Sequence, residues 1–93
     1  MQIDKVDANA YGDGIHLDVY FKLTRSEVDT LSSPTTQAAI SAALTATAAG
    51  APAIPFVLAR IDQIKEHNGP NGCSIKMTVV NSSELREFLT DAI

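Results

Sequence analysis

Hydrophobic and polar residues alternate most regularly over residues 15–23. Apolar side chains at the odd positions and polar ones at the even positions show the two-residue period of a half-buried strand. Residues 2–10 predict a second strand, but their apolar positions change face between Ile3 and Val6, which indicates a bulge or an edge position. Two glycines and an Asp-Gly pair join the segments. The pattern therefore predicts a β-hairpin.

Two helix starts follow the hairpin. Thr24 and Glu27 have the spacing of a capping box, which predicts a short helix to about residue 31. Ser33 followed by Pro34 predicts a second start, with serine as the cap and proline in the first turn. That helix is expected to run through the alanines to residue 49 and to end at Gly50 in the left-handed conformation.

The second half of the chain is less regular. Residues 56–66 suit either a helix or a strand, whereas residues 73–79 alternate as a strand does. Between them, residues 68–72 contain two Asn-Gly pairs and predict a turn. Asn81 is a predicted helix cap, because the apolar residues of 85–93 recur at i, i+3, i+4, i+7 and i+8.

A weak repeat links the two halves. Residues 5–7 and 60–62 each precede a glycine-rich turn, an alternating strand and a capped segment, which favours an internal hairpin–helix duplication. The predicted order is ββα(α)ββα. We therefore expect one compact α+β domain over 1–93, with a four-stranded, mainly antiparallel sheet and helices on one face.

Charge and cysteine content narrow the function classes. The 93-residue chain carries a net charge of −4, and its seven basic residues are dispersed along the sequence, which makes nucleic acid an unlikely partner. The single cysteine excludes a disulfide-stapled scaffold. No secretory signal or long apolar span is evident, so the expected location is the cytoplasm, without membrane association.

The most informative feature is the absence of charge between Asp29 and Arg60. Alanines at one-turn intervals in the predicted long helix allow a close approach to a second surface. Contact surfaces are also depleted in charge at their centres. The stretch indicates either ordinary close packing on the sheet or a surface that binds a second chain. In the second case, the predicted contact residues are Gln37, Ser41, Ala42 and Thr45.

Negative charge is concentrated near the N-terminus. Four aspartates stand against Lys5 alone in the first 18 residues, and such a patch favours a partner with a basic surface. Acidic surfaces are also common in proteins that need no such partner. The predicted electrostatic contacts are Asp4, Asp7, Asp13 and Asp18.

Candidate chemistry is sparse. His16, Asp18 and Tyr20 share one strand face, but polar residues on a wet face need no catalytic explanation. Residues 7–18 partly match a calcium loop but lack a ligand at its fifth position. The alternation of residues 73–79 places Cys73 inward, as a small buried residue rather than a nucleophile. No cofactor or metal ion is predicted.

These observations favour a non-catalytic protein-binding module. We expect a small acidic inhibitor or antagonist, of the immunity or phage-encoded type, that occludes a partner protein by steric and electrostatic contact. One alternative is a self-assembling structural subunit, a homodimer or ring formed through the alanine-rich helix. The other is a small ligand-binding or enzymatic domain that uses the strand face of His16, Asp18 and Tyr20.

Overall fold

The computed structural model describes all 93 residues and contains a four-stranded antiparallel sheet in the order β1-β2-β3-β4. Its strands are β1 (Gln2–Tyr11), β2 (Gly14–Leu23), β3 (Cys73–Val80) and β4 (Glu84–Ala92). The helices lie between β2 and β3 in sequence. They are α1 (Arg25–Asp29), α2 (Pro34–Ala46), α3 (Ile54–Leu58) and α4 (Ile61–Glu66), with a 3-10 turn at Ala51–Ala53.

The helices cover one face of the sheet, as predicted. The inward side chains of β2 and β3 meet in register, with Val19 opposite Met77 and Phe21 opposite Ile75, and all four are at most 1% exposed. Buried residues from each of the four helices and from the 3-10 turn complete one continuous core. Because the other side of the same strands is polar, no second layer is needed there.

The local signals of the first half are confirmed. The register of β1 against β2 shifts between Ile3 and Lys5, which is the predicted bulge. Thr24 and Glu27 form both hydrogen bonds of the capping box. The Ser33 side chain accepts a hydrogen bond from the backbone N–H of Thr35 at the start of α2.

The predicted end of α2 is wrong in detail. The helix ends at Ala46, and the left-handed residue is Ala49, with φ of 69°, whereas Gly50 has φ of −76°. A Cβ at position 50 would lie 2.3 Å from the carbonyl oxygen of Leu44. Glycine is therefore required by a close backbone approach and not by a left-handed conformation.

The segment 56–66 is not a strand, because residues 56–58 belong to α3 and residues 61–66 to α4, with a turn at 59–60. The second half of the chain is therefore helix followed by hairpin, so the hairpin–helix unit of the first half is not repeated.

The predicted C-terminal helix is wrong, because Glu84–Ala92 forms strand β4. Thr78 pairs with Glu87 while Val79 pairs with Leu85, so Arg86 is an extra residue in a bulge. The bulge places Leu85 and Phe88, three positions apart, against the same side of the core. A spacing of three residues is also typical of the apolar side of a helix, which explains the wrong prediction. The observed element order is ββααααββ.

Candidate functional site

The exterior of the helical layer carries no charge from residue 30 to residue 59. Ile40 and Leu44 turn the inner side of α2 into the core and are at most 2% exposed. The outer side of α2 is exposed in the single chain, so α2 is covered only on the side that faces the sheet. We call this outer side the uncharged helical surface; its exposed α2 residues are Pro34, Thr35, Ala38, Ala39, Ala42, Thr45 and Ala46.

The predicted contact residues divide between the outer side and the flank of α2. Ala42 and Thr45 are exposed, whereas Gln37 and Ser41 are half-buried. The Gln37 side chain donates a 3.0 Å hydrogen bond from Nε2 to the carbonyl oxygen of Leu31. Gln37 therefore attaches the start of α2 to the end of the preceding turn, and Ala42 and Thr45 remain available for contact.

The four aspartates do not lie beside α2. Asp4, Asp7 and Asp18 project from the sheet face that no helix covers, and Asp13 lies in the β1–β2 turn. We call that uncovered side the open sheet face. The sheet therefore separates the two predicted contact surfaces, and a flat partner that covers one does not reach the other.

Each aspartate also has a partner within the chain. Asp4 lies 3.7 Å from the Lys22 ammonium, and Asp7 lies 3.8 Å from that of Lys5. Asp18 accepts a 2.7 Å hydrogen bond from the Thr78 hydroxyl. These contacts reduce the charge that the aspartates offer to another molecule.

Asp13 joins the two hairpins at one end of the sheet. Its carboxylate bonds the Arg86 guanidinium and lies 2.8 Å from His16 Nε2. The hydrogen bond from Arg86, and then that from His16, lowers the pKa of Asp13 from 3.8 to about 2. The His16 ring also contacts Tyr11, with ring centroids 4.5 Å apart. These contacts connect the β1–β2 turn to strands β2 and β4.

The strand-face residues of the ligand-binding alternative do not line one cavity. Tyr20 borders a shallow crevice of about 310 Å³, whereas His16 and Asp18 border none of the three crevices in the molecule. No three His, Cys, Asp or Glu side chains are placed to hold one metal ion. Asp7 and Asp18 of the partial calcium-loop match lie directly opposite each other on paired strands instead.

Cys73 is fully buried at the start of β3, and burial raises the pKa of its thiol. His67, six residues earlier in the sequence, is the histidine that could serve as a base for this thiol. It is exposed, and its Nδ1 lies 2.9 Å from both the Gln63 carbonyl oxygen and the Thr90 hydroxyl, contacts that do not include Cys73. The thiol is therefore held in its protonated, unreactive form.

The strand register reveals an arrangement that sequence reasoning missed. Residues of all four strands form transverse rows on the open sheet face, and two neighbouring rows have opposite charge. The basic row consists of Lys5, Tyr20, Lys76 and Leu89; the acidic row consists of Asp7, Asp18, Thr78 and Glu87. The two rows cannot be recognised from the sequence alone, because each row contains one residue from each of the four strands.

None of the helices is long and apolar enough to cross a membrane. No protein-family model, curated protein or solved structure matches this chain.

Proposed function

We propose that this protein is a non-catalytic binding module that contacts another protein through the uncharged helical surface. The observation that supports the proposal is the exposure of an outer helix side without a single ionised residue, in a chain with 18 charged residues elsewhere. An exposed helix ordinarily carries charge on its solvent side. Charged residues are depleted at the centres of protein interfaces, so an uncharged outer side suits a surface from which a partner removes water.

The proposed action is steric occlusion. Ala38, Ala42 and Ala46 recur once per turn and have short side chains, so a partner can approach the α2 backbone closely. The side chains there lose little conformational entropy on contact, because alanine has no rotamers to fix. The aspartates are not part of this interface, since they lie in the β1–β2 turn and on the other face of the sheet.

Pull-down from extracts of the native host tests the proposal with three baits: wild type, Ala42→Glu and Ser26→Glu. Ala42 is exposed, and glutamate is a good helix former, so the first variant should fold. Its carboxylate would be buried without a counter-charge in the interface, and we expect capture of the partner to fall at least about tenfold. Ser26 is exposed on α1, where the same charge should change nothing.

Quantitative mass spectrometry of the captured proteins gives the result. The expected outcome is a protein retained by wild type and by Ser26→Glu and lost with Ala42→Glu. Circular dichroism of the three baits confirms that all are folded. Equal retention of every captured protein by the folded Ala42→Glu bait would contradict the proposal.

A further inference from the structure

We infer that the open sheet face is a self-association surface whose partner is a second copy of this chain. This inference is independent of the proposed function, because the helices and the open face lie on opposite sides of the sheet. It rests on the adjacent basic and acidic rows that the strand register assembles.

The basic row is built around an aromatic ring. The ammonium groups of Lys5 and Lys76 lie 5.0 and 5.4 Å from the centroid of Tyr20. Leu89, at the end of the row, is an apolar side chain that is 49% exposed. Lys76 has no carboxylate within 4.0 Å in the chain, so its charge is available to a partner.

The acidic row carries an energetic cost in the single chain. Asp7 and Asp18 are directly opposite on paired strands, and like charges in that position destabilise a sheet. The Lys5 ammonium, 3.8 Å from Asp7, is the one cation within 4.0 Å of either carboxylate, and the Thr78 hydroxyl donates a hydrogen bond to Asp18. Glu87, in the same row, has no ion pair at all. A further cation over this row would relieve the repulsion.

The order of the rows favours a second copy over other partners. A nucleic acid or an anionic surface would be attracted by one row and repelled by the next. A two-fold axis parallel to the rows and midway between them places the basic row of each copy over the acidic row of the other. Lys5 then faces Asp7 of the second copy, and Lys76 lies about one strand spacing, roughly 4.8 Å, from its Glu87.

The size of the face sets the strength of the association. Four strands about 4.8 Å apart and eight residues at about 3.3 Å give a footprint of about 500 Å² per copy. Standard interfaces cover about 800 Å² per partner, so we expect a weak, rapidly exchanging dimer. Its dissociation constant should rise at least about tenfold between about 0.02 M and about 0.5 M salt, because the Debye length shortens from about 20 Å to about 4 Å.

Charge-swap rescue tests the inference by sedimentation velocity at concentrations up to about 1 mM, where an interface of this size associates. One variant, Lys5→Glu with Lys76→Glu, has two acidic rows; the other, Asp7→Lys with Glu87→Lys, has two basic rows. Neither variant should dimerise by itself, because rows of like charge would then face each other. An equimolar mixture should form a heterodimer at least as tight as the wild-type dimer.

A matched control makes the same kinds of charge change elsewhere. Lys65→Glu and Asp62→Lys alter exposed residues on α4 and should leave the wild-type dimer unchanged. A monomeric wild type at low salt, or a mixture that fails to associate, would overturn the inference. So would a dimer that survives both row variants and is lost with Ala42→Glu, which would place the contact on the helices instead.

Discussion

Replacing Gly72 by alanine should destabilise the fold strongly. Gly72 precedes β3 with φ of 100°, and a Cβ there would lie 1.9 Å from the carbonyl oxygen of Leu23. Its own carbonyl oxygen accepts hydrogen bonds from the backbone N–H of Gly69, at 2.8 Å, and of Ile93, at 3.0 Å. The alanine methyl group therefore requires either the end of β2 or this hydrogen-bonded turn to move.

Two costs contribute to the expected loss. A left-handed conformation costs an L-residue about 1–2 kcal/mol. Forcing an extra methyl group into packed surroundings costs about 1–3 kcal/mol. Together they reduce the free energy of unfolding by about 2–5 kcal/mol, a large share of the roughly 5–14 kcal/mol expected for 93 residues. The melting temperature of a domain this size changes by about 4–8 °C per kcal/mol, so we expect a decrease of at least about 8 °C.

Thermal and urea denaturation, followed by circular dichroism, measure the effect against Gly12→Ala. No heavy atom lies within 4 Å of a Cβ at position 12, and Gly12 has no positive φ. That control should be neutral or up to about 1 kcal/mol more stable than wild type, because alanine restricts the unfolded chain. A Gly72→Ala melting temperature within about 3 °C of wild type would refute the reasoning.

Two further predictions concern titratable groups. The folded-state pKa of Asp13 is about 2, below its usual 3.8, so its stabilising contribution is present above pH about 4 and is lost as the pH falls through 2. Asp13→Asn should therefore show a smaller decrease of melting temperature between pH 5 and pH 2 than wild type, and parallel curves would contradict this. Cys73 is fully buried with a raised pKa, so a thiol reagent should modify it at the rate of global unfolding and much faster in urea. Complete labelling within seconds in native buffer would show that the thiol is accessible.

Local patterns are sufficient to predict both strands and both helix starts in the first half of the chain. The alternation of β2, the Thr24–Glu27 capping box and the Ser33 cap each depend on residues at most a few positions apart. At these positions the packing of the rest of the chain agrees with the local hydrogen bonds and side-chain periods. The bulge in β1 is likewise predicted from a local pattern, the change of face between Ile3 and Val6. The helical layer on one face followed from the polar alternate positions of β2.

Tertiary structure decided the C-terminal strand and the arrangement of the charged surfaces. Leu85 and Phe88 have helical spacing, yet the bulge at Arg86 allows both to reach the core from a strand. The free edge of β3 pairs with β4 at eight positions, and this pairing overrides a local helical preference. In the same way, strand register alone brings Lys5 beside Tyr20 and Asp7 beside Asp18, since residues distant in sequence become neighbours only when strands pair.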